Sequence, residues 1–407
     1  MSFSRRSFLR QAGSAVAFGA FVGESLRGAT RAETAMPQAE NDSSNSSSTG
    51  GKKIGYCIVG LGRISMDQFM PGVKISKDST IVALVSGHRD KAERIADEYG
   101  VPHNAIYNYQ NYDSIRDNPA IDAVYIALPN GMHAEYTIRA AKAGKHVLCE
   151  KPVGIAVEEV ERLQEAAART GLTVQIGHMK RFDPGLQAAK EFIDTEMGEI
   201  LALKAWYCDS THRYTMTDAV QPLPVTGKSA RKPAENPKAD LRRYFMLAHG
   251  SHLIDTAAWL CGPIVAVQAR LSERFGAYCW FVDVTFANGT LGHLDLTVAV
   301  RMDWHEGLQL YGEHGSVIAR TFNPWYYRAS EVEIFHEKDA TIRKPLGADG
   351  HFYRRQVEGF AETILTGRPQ QGAGAEDGVA NIRAMVAIAR SVKEAREVRL
   401  DEVSGAL

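Results

Sequence analysis

The sequence predicts an α/β protein with two domains: an N-terminal doubly wound parallel sheet, then an α+β domain with a large open, mainly antiparallel sheet. Short apolar strands alternate with helical segments from Ile54 to Gly177, the pattern of a parallel sheet covered by helices on both faces. Longer strands with alternating polar and apolar residues begin at Ile200, as in an antiparallel sheet with one solvated face. The 407 residues, 44% of them hydrophobic, are enough to bury two cores.

The charge balance and the cysteines exclude several classes of function. Lys and Arg number 47 against 48 acidic residues, so the chain has no basic field for a phosphate backbone, and we expect no nucleic-acid partner. The 5 cysteines are scattered and lack metal-ligand spacing. We therefore predict reduced, packed thiols and no metal site.

The N-terminus reads SRRSFLR over residues 4–10, and a modestly apolar run follows. Paired arginines in this position favour a twin-arginine export signal over residues 1–32, and hence a periplasmic or otherwise exported protein; the alternative is a frayed basic N-terminus. The run is shorter than the roughly 20 residues that span a bilayer, so stable membrane insertion is not expected. Residues 33–53 are rich in Ser, Asn, Gly and Ala, which predicts a flexible linker or arm.

The first strand, Ile54–Val59, leads directly into Gly60-Leu61-Gly62-Arg63-Ile64-Ser65. In a strand-turn-helix context Gly60 permits the tight turn and Gly62 lets the backbone approach a pyrophosphate. The amides of Arg63 and Ile64 would then begin a helix whose positive end faces the phosphates. We therefore predict a dinucleotide-binding domain of Rossmann type over residues 54–177.

The residues after the second strand, Ile81–Val85, bear on the choice of dinucleotide. An acidic residue at this point would bind a free ribose 2′-hydroxyl, but Ser86 stands there, followed by Arg89 and Lys91. A hydroxyl and two cations suit a 2′-phosphate and favour NADP. NAD stays possible because Asp90 could reach the ribose if the loop folds differently.

The stretch Ile121–Pro152 forms one βαβ unit, with predicted strands Asp122–Leu128 and His146–Cys149 around a helix, Ala134–Ala143. Ligands of open parallel sheets bind beyond the carboxyl ends of the strands. Lys151 lies at such an end and is placed to act on a ligand; the alternative is a surface lysine in a loop.

The remaining chain completes the second, substrate and oligomerisation domain over residues 178–407. Its predicted strands are Ile200–Asp209, Val265–Glu273, Trp280–Ala287, Thr290–Val300, Gly307–Tyr311 and Val332–Phe335, and its predicted terminal helices are Phe352–Thr366 and Ala375–Ala395. Lys180 and Arg181 follow the last strand of the first domain, where they could reach a substrate or be solvated.

One predicted strand of the second domain has a polar face. His293, Asp295 and Thr297 alternate with apolar residues and would lie on the same side of the sheet. That side meets either the substrate and cofactor or a second subunit. We expect a homo-oligomer formed through this open sheet.

Several motifs together resemble the glucose–fructose oxidoreductase / inositol dehydrogenase (Gfo/Idh/MocA) family. The segments that carry the resemblance are Gly60–Gly62, Ala83–Gly87, Asp122–Ile126, Leu128–Asn130, His133–Glu135, Lys142–Val147 and Glu150–Pro152. The resemblance implies a Rossmann domain and hydride transfer between a nicotinamide and a sugar-type CH–OH carbon. It makes Lys151 the catalytic lysine, with a cis peptide before Pro152, and it places the following residues at the cofactor: Leu128, Pro129, Asn130, His133 and Glu150.

A second family pattern places an Asp four residues before a catalytic His on a helix. His252 matches the histidine, but Ala248 stands at the Asp position, so His249 could take over part of the lost function. Oxidation of an alcohol needs a base for the hydroxyl proton and a cation beside the developing alkoxide, and His252 and Lys151 could fill these roles. Each histidine could also be a buried structural residue.

These observations predict an exported oxidoreductase that transfers a hydride between tightly bound NADP(H) and a sugar or polyol. Two alternatives stay open. One is a glycosidase of the same fold that oxidises its substrate transiently, and the other is a non-catalytic sugar- or cofactor-binding protein, which Ala248 would favour.

Overall fold

The computed structural model describes residues 51–210, 238–347 and 349–407. The predicted export signal and nearly all of the predicted arm lie outside the described residues. Gly51, Lys52 and Lys53 are exposed and lead into the first strand.

A six-stranded sheet with all neighbouring strands parallel forms the N-terminal part, in the order β3-β2-β1-β4-β5-β6. Its strands are β1 Ile54–Val59, β2 Ser79–Val85, β3 Ile106–Tyr107, β4 Ala123–Ile126, β5 His146–Cys149 and β6 Val174–Ile176. This confirms the predicted doubly wound sheet, and the strand order reverses between β1 and β4, where such sheets bind ligands. The edge strand β3 escaped prediction because two residues carry no periodic signal.

Helices cover this sheet and continue through the second domain. They are α1 Met70–Ile75, α2 Arg89–Tyr99, α3 His133–Lys142, α4 Val157–Thr170, α5 Pro184–Thr195, α6 Leu241–Phe245, α7 Ser251–Cys261, α8 Phe352–Thr366 and α9 Ala375–Glu394. Short π-helical turns precede α1 at Ser65–Phe69 and α7 at Met246–Gly250. The second π-helical turn matters for the site because it carries His249.

A nine-stranded sheet forms the second domain, in the order β14-β13-β12-β11-β7-β10-β9-β8-β15. Its strands are β7 Ile200–Ser210, β8 Ile264–Arg274, β9 Ala277–Phe286, β10 Leu291–Val300, β11 His305–Gly312, β12 Gly315–Thr321, β13 Glu331–His336, β14 Thr341–Arg343 and β15 Val398–Arg399. Only the β7–β10 pair is parallel, which confirms a mainly antiparallel sheet. Strands β12, β14 and β15 escaped prediction.

The two faces of the large sheet have different environments. Leu294 and Leu296 on β10 point to an inner face that packs against α7 and are almost fully buried. His293, Asp295 and Thr297 point to the outer face and are partly exposed. Contact of this polar face with the substrate, one of the two predicted alternatives, is therefore wrong, because the candidate site lies on the inner side. The contact with a second subunit stays a prediction.

All 5 cysteines are free thiols, and Cys57, Cys149, Cys208 and Cys261 are buried. Among the described residues no helix is long and apolar enough to cross a membrane.

Candidate active site

The turn after β1 has the shape that its glycines predict. Gly60 has φ +89°, and a Cβ atom there would lie 2.3 Å from the Ala127 carbonyl oxygen, so only glycine fits. A Cβ atom on Gly62 would meet no atom within 4 Å, because this residue faces open space. The Ser65 hydroxyl closes the turn by donating to the Gly60 carbonyl at 2.6 Å. The turn thus leaves room at Gly62 for the close backbone approach that a pyrophosphate requires.

A helical segment begins directly after this turn. The Met66 amide donates to the Gly62 carbonyl at 3.0 Å, which marks the start of the helical hydrogen bonds, so the amides of the first turn point towards the glycine turn. The Arg63 guanidinium lies 3.7 Å from the Asp67 carboxylate and is half-exposed. These features fit a dinucleotide, since amides at a helix start and a nearby cation both attract phosphate oxygens.

Of the three residues predicted to select the dinucleotide, only Lys91 reaches the glycine turn. Its ammonium donates to the Leu61 carbonyl at 2.5 Å, and burial lowers its pKa. Lys91 therefore stands beside the phosphate-binding turn.

Arg89 and Ser86 are placed differently from the prediction. The Arg89 guanidinium pairs with Glu93 at 2.7 Å and donates to the backbone carbonyls of His103 and Ile106. The Ser86 hydroxyl accepts from the His88 amide at 3.1 Å within its own turn. Arg89 is therefore held by α2 and by the segment that leads into β3, and Ser86 by its own turn, which the residue types alone could not reveal.

A cavity of about 370 Å³ begins at Gly62 and runs between the two sheets. The predicted site residues that line it are Gly62, Arg63, Ile64, Leu128, Asn130, His133, Glu150, Lys151, Lys180, His249 and His252. Gly60, Ser86, Arg89, Lys91, Pro129 and Arg181 do not line it. The structure thus brings the predicted lysine and both predicted histidines to one cavity that includes the glycine turn.

Lys151 lies at the end of β5, and the peptide before Pro152 is cis, as the resemblance implied. Its ammonium donates to the Ala248 carbonyl at 3.0 Å, across the cavity in the second domain. Glu150 is buried behind it and accepts from the Tyr125 hydroxyl at 2.9 Å. Burial raises the pKa of Glu150, and the charge of Lys151 acts against this shift.

His133 joins the two loops that follow β4 and β5. Its Nδ1 lies 2.7 Å from the Pro152 carbonyl oxygen and its Nε2 lies 2.7 Å from the Leu128 carbonyl oxygen. Burial lowers the pKa of His133, although both carbonyls favour its protonated form. The ring therefore braces the turn Leu128-Pro129-Asn130 and the lysine loop, and its nitrogens are bonded to backbone.

His252 is buried on α7, and within the described residues its Nδ1 has no hydrogen-bond partner. Burial first, then the charge of Lys151 and that of Lys180, lowers the pKa of His252 well below its usual value. The imidazole is therefore neutral at physiological pH.

His249 has two polar partners that the sequence analysis missed. Its Nδ1 lies 3.1 Å from the Tyr207 hydroxyl, and its Nε2 lies 3.2 Å from the Asp209 carboxylate. Tyr207 and Asp209 alternate on β7 and therefore point to the same inner face. The alternation of side chains along the predicted strand Ile200–Asp209 would have placed these two residues on the same face. No local sequence pattern indicates that they contact His249.

Lys180 and Arg181 are adjacent in sequence but differ in environment. The Lys180 ammonium contacts the Glu306 carboxylate and lies 4.9 Å from the centre of the Tyr207 ring. Burial lowers the pKa of Lys180 to about 7, while the charge of Asp183 acts against that shift. Lys180 therefore lies in the cavity wall, as predicted for a substrate contact.

Arg181 is placed away from the cavity, contrary to the prediction. Its guanidinium pairs with Asp255 at 2.7 Å and with Asp377 at 3.0 Å, and so ties α7 to α9. These two acidic partners satisfy the buried cation, which explains its place in the packing of the helices.

Fold and site together define a class: a nicotinamide-dependent oxidoreductase, with a dinucleotide turn and a strand-end lysine on one cavity. Comparison with known proteins identifies the family. The oxidoreductase family with an NAD-binding Rossmann fold (Gfo/Idh/MocA) matches residues 54–178, and its C-terminal α/β domain matches residues 245–400. The chain belongs to this family, as the sequence motifs indicated.

Individual relatives cover different shares of the chain. An uncharacterized oxidoreductase of Rhizobium meliloti is 35% identical over 38% of the chain, and the match spans 46% of that protein. A D-xylose 1-dehydrogenase (NADP(+)) of Haloferax volcanii is 26% identical over 85% of the chain and 99% of its own length. The crystal structure of an aldose-aldose oxidoreductase from Caulobacter crescentus, complexed with glycerol, has a TM-score of 0.69 at 26% identity and covers 86% of the chain and 100% of its own.

Proposed function

We propose that this protein is an exported oxidoreductase that transfers a hydride between tightly held NADP(H) and a CH–OH carbon of a sugar or polyol. The observation that carries the proposal is the single cavity that includes both Gly62 and Lys151. The glycine turn fits the cofactor. The lysine lies beyond the ends of β4 and β5, next to the place where a reacting carbon would bind.

Relatives support the substrate class and the cofactor. Several are named for sugars or cyclic polyols, among them the D-xylose dehydrogenase and a myo-inositol 2-dehydrogenase of Thermotoga maritima. Their names include both NADP and NAD. Lys91 beside the glycine turn favours NADP, because an ammonium there can pair with a 2′-phosphate.

The walls of the cavity suit a polyhydroxylated substrate. Tyr207, Trp304 and Trp325 present aromatic rings, and Lys180 lies beside them with its ammonium in contact with the buried Glu306 carboxylate. Aromatic faces pack against the CH groups of a sugar ring, while charged groups bind its hydroxyls.

The chemistry needs few groups from the protein. Bound nicotinamide supplies the hydride acceptor or donor. Lys151 would stabilise negative charge on the substrate oxygen, because its ammonium lines the cavity and reaches across it to the Ala248 carbonyl. His252, kept neutral by burial and by its cationic neighbours, can donate its one ring N–H to the substrate oxygen and so orient the hydroxyl.

Export supports the tight retention of the cofactor. Outside the cytoplasm there is no ready supply of free nicotinamide cofactors. The twin-arginine pathway exports proteins already folded, with their cofactors bound. A retained cofactor would be oxidised by one substrate and reduced by another within the same cavity.

The experiment is to purify the protein from the exported fraction, release its cofactor by denaturation and identify it. Sugars and polyols are then screened for reduction of the bound cofactor by absorbance. Formation of a ketone, lactone or alditol supports the proposal. Release of an aglycone without net redox change would identify a glycosidase instead, and cofactor binding with no turnover of any sugar would identify a binding protein.

Lys151→Met tests the assignment of the lysine. We expect the fold and bound cofactor to persist while kcat falls by about 10²–10⁴-fold, the usual contribution of a positioned acid–base group. Lys142→Met, a change at an exposed lysine on α3, is the matched control. Wild-type kcat in Lys151→Met would remove this lysine from the site.

A further inference from the structure

Three buried side chains in contact with one another form a chain that leads away from the cavity. Tyr207, Asp209 and His249 are exposed by only 2%, 5% and 5%. His249 lies between the other two, with its Nδ1 3.1 Å from the Tyr207 hydroxyl and its Nε2 3.2 Å from Asp209. Tyr207 and His249 both line the cavity, whereas Asp209 does not. The phenol thus faces the substrate space, and the carboxylate lies behind the imidazole.

The hydrogen bonds fix the tautomer of His249. An ionised carboxylate can only accept, so the proton of the neutral ring belongs on Nε2, which donates to Asp209. Nδ1 then presents a lone pair, to which the Tyr207 hydroxyl donates. A proton can move from the phenol to Nδ1 without any rearrangement of heavy atoms.

The surroundings of His252 do not offer the same stabilisation. Ala248 provides no carboxylate, and the charges of Lys151, on the loop after β5, and Lys180, after β6, disfavour a second proton on this ring. His249 shares the cationic neighbourhood but has Asp209 at 3.2 Å to hold an imidazolium. The other nearby carboxylate, Glu306 on β11, contacts Lys180.

We propose that Tyr207, His249 and Asp209 form the proton relay of the reaction, an inference that rests on the proposed function. In the oxidative direction the substrate O–H bond breaks and its proton passes to the Tyr207 oxygen, while the proton of the Tyr207 hydroxyl passes to His249 Nδ1. The same carbon loses a hydride to the nicotinamide, so the alcohol loses two electrons and becomes a carbonyl. Asp209 holds the resulting imidazolium, and reduction runs the steps in reverse.

Tyr207 is therefore a catalytic residue, and His249 and Asp209 act through it. The departure from the family pattern at Ala248 is compensated by a carboxylate from β7. The relay receives the proton, and His252 orients the hydroxyl.

The test uses the full-length enzyme with its bound cofactor. Tyr207→Phe removes the hydroxyl, and Asp209→Asn replaces an acceptor by an amide that can donate to Nε2 and so favours the Nδ1–H tautomer. We expect each change to lower kcat by about 10²-fold or more, with cofactor content and melting temperature kept. In Tyr207→Phe the acid limb of the pH dependence of kcat and the solvent deuterium isotope effect should both be lost.

Glu337→Gln is the matched control, because it removes a carboxylate 3.2 Å from an exposed histidine, His314, outside the cavity. We expect unchanged kcat and pH dependence. A loss of activity in this control equal to that in Asp209→Asn would overturn the specific role of Asp209.

A measurement without substrate keeps this test separate from the proposed function. Nitrogen-15 NMR of labelled histidines, with the His249 signal identified by its loss in His249→Gln, should report the Nε2–H tautomer in the wild type and Nδ1–H in Asp209→Asn. An Nδ1–H tautomer in the wild type would overturn the relay. An active enzyme whose pH limb survives in Tyr207→Phe would do the same, whereas failure of every sugar to react with the wild type would overturn only the proposed function.

Discussion

Two histidines three residues apart, His249 and His252, differ in what their surroundings allow. One ring is bonded to a phenol and a carboxylate, and the other is buried beside two lysines with an unpartnered nitrogen in the described part of the chain. The π-helical turn that carries His249 ends just before α7 begins. The same residue type thus provides a proton acceptor at one position and a neutral hydrogen-bonding group at the other.

Cofactor selectivity at the residue scale should depend on Lys91. We expect Lys91→Ala to weaken NADP binding more than NAD binding, because only the 2′-phosphate would lose an ionic partner. Dissociation constants of both cofactors, measured by calorimetry on protein freed of its cofactor, test this. Arg89→Ala is the comparison, and since Arg89 is bonded to Glu93 and to backbone carbonyls, it should affect both cofactors alike. A selective loss of NADP in Arg89→Ala alone would contradict this assignment.

His178 should make stability depend on acid pH. Burial lowers its pKa from 6.5 to about 4, with Asp255 acting against the shift and Arg181 adding to it. Below pH 6.5 His178 is therefore protonated in the unfolded chain, but in the folded protein it stays neutral down to about pH 4. The unfolding free energy is therefore unaffected by His178 above pH 6.5 and falls as the pH decreases below it.

In His178→Gln the unfolding free energy should therefore depend less steeply on pH. The slope should fall by the contribution of about one proton, or roughly 1.4 kcal/mol per pH unit in this window. Urea unfolding at several pH values between 7 and 4.5 measures the slope, and His314→Gln, at an exposed ring, is the control. An identical slope in wild type and His178→Gln would show that the buried ring is already protonated in the folded state.

At the scale of elements, the site is a product of strand ends and turns. The ends of β1, β4 and β5 provide the glycine turn, the Leu128–Asn130 loop and Lys151, and His133 ties the last two together. The inner face of β7 adds Tyr207 and Asp209 from the other sheet. Neither sheet contains the whole site.

The two glycines of the turn should respond differently to the same change. Gly60→Ala forces a Cβ atom to 2.3 Å from the Ala127 carbonyl oxygen at positive φ, so we expect a loss of stability of about 1–3 kcal/mol or more. Gly62→Ala adds a methyl group to open space, so the unfolding free energy should stay near that of the wild type while cofactor affinity falls. Chemical denaturation and cofactor titration of both variants separate the effects, and undiminished affinity in Gly62→Ala would place the cofactor elsewhere.

On the scale of the whole molecule, the outer face of the nine-stranded sheet has no covering layer among the described residues. Phe281 on β9 lies opposite Asp295 of β10, and Ile318 and Phe335 lie on β12 and β13. These three apolar side chains are 44–45% exposed. Exposed apolar side chains on an uncovered sheet face are consistent with an association surface.

We expect Phe281→Glu to dissociate the protein into smaller species, because association through this face would bury an unpaired carboxylate beside Asp295 on the neighbouring strand. Size-exclusion chromatography with light scattering measures the change, and Ile75→Glu, at a 55% exposed residue outside this sheet, should leave the assembly intact. An unchanged molar mass in Phe281→Glu would show that the outer face is not the interface.

Both sheets apart from β3, β12, β14 and β15, the dinucleotide turn, and the positions of Lys151 and His252 were predictable from residue order, because each depends on local periodicity, on glycine conformation or on a motif a few residues long. The partners of those residues were not predictable, because they come from distant parts of the chain. Asp209 meets His249, Glu306 contacts Lys180, and Asp255 withdraws Arg181 from the cavity, through contacts between residues 40 to 126 positions apart. These contacts depend on the order of the strands and on which faces of the two sheets face each other. No local sequence pattern encodes either property.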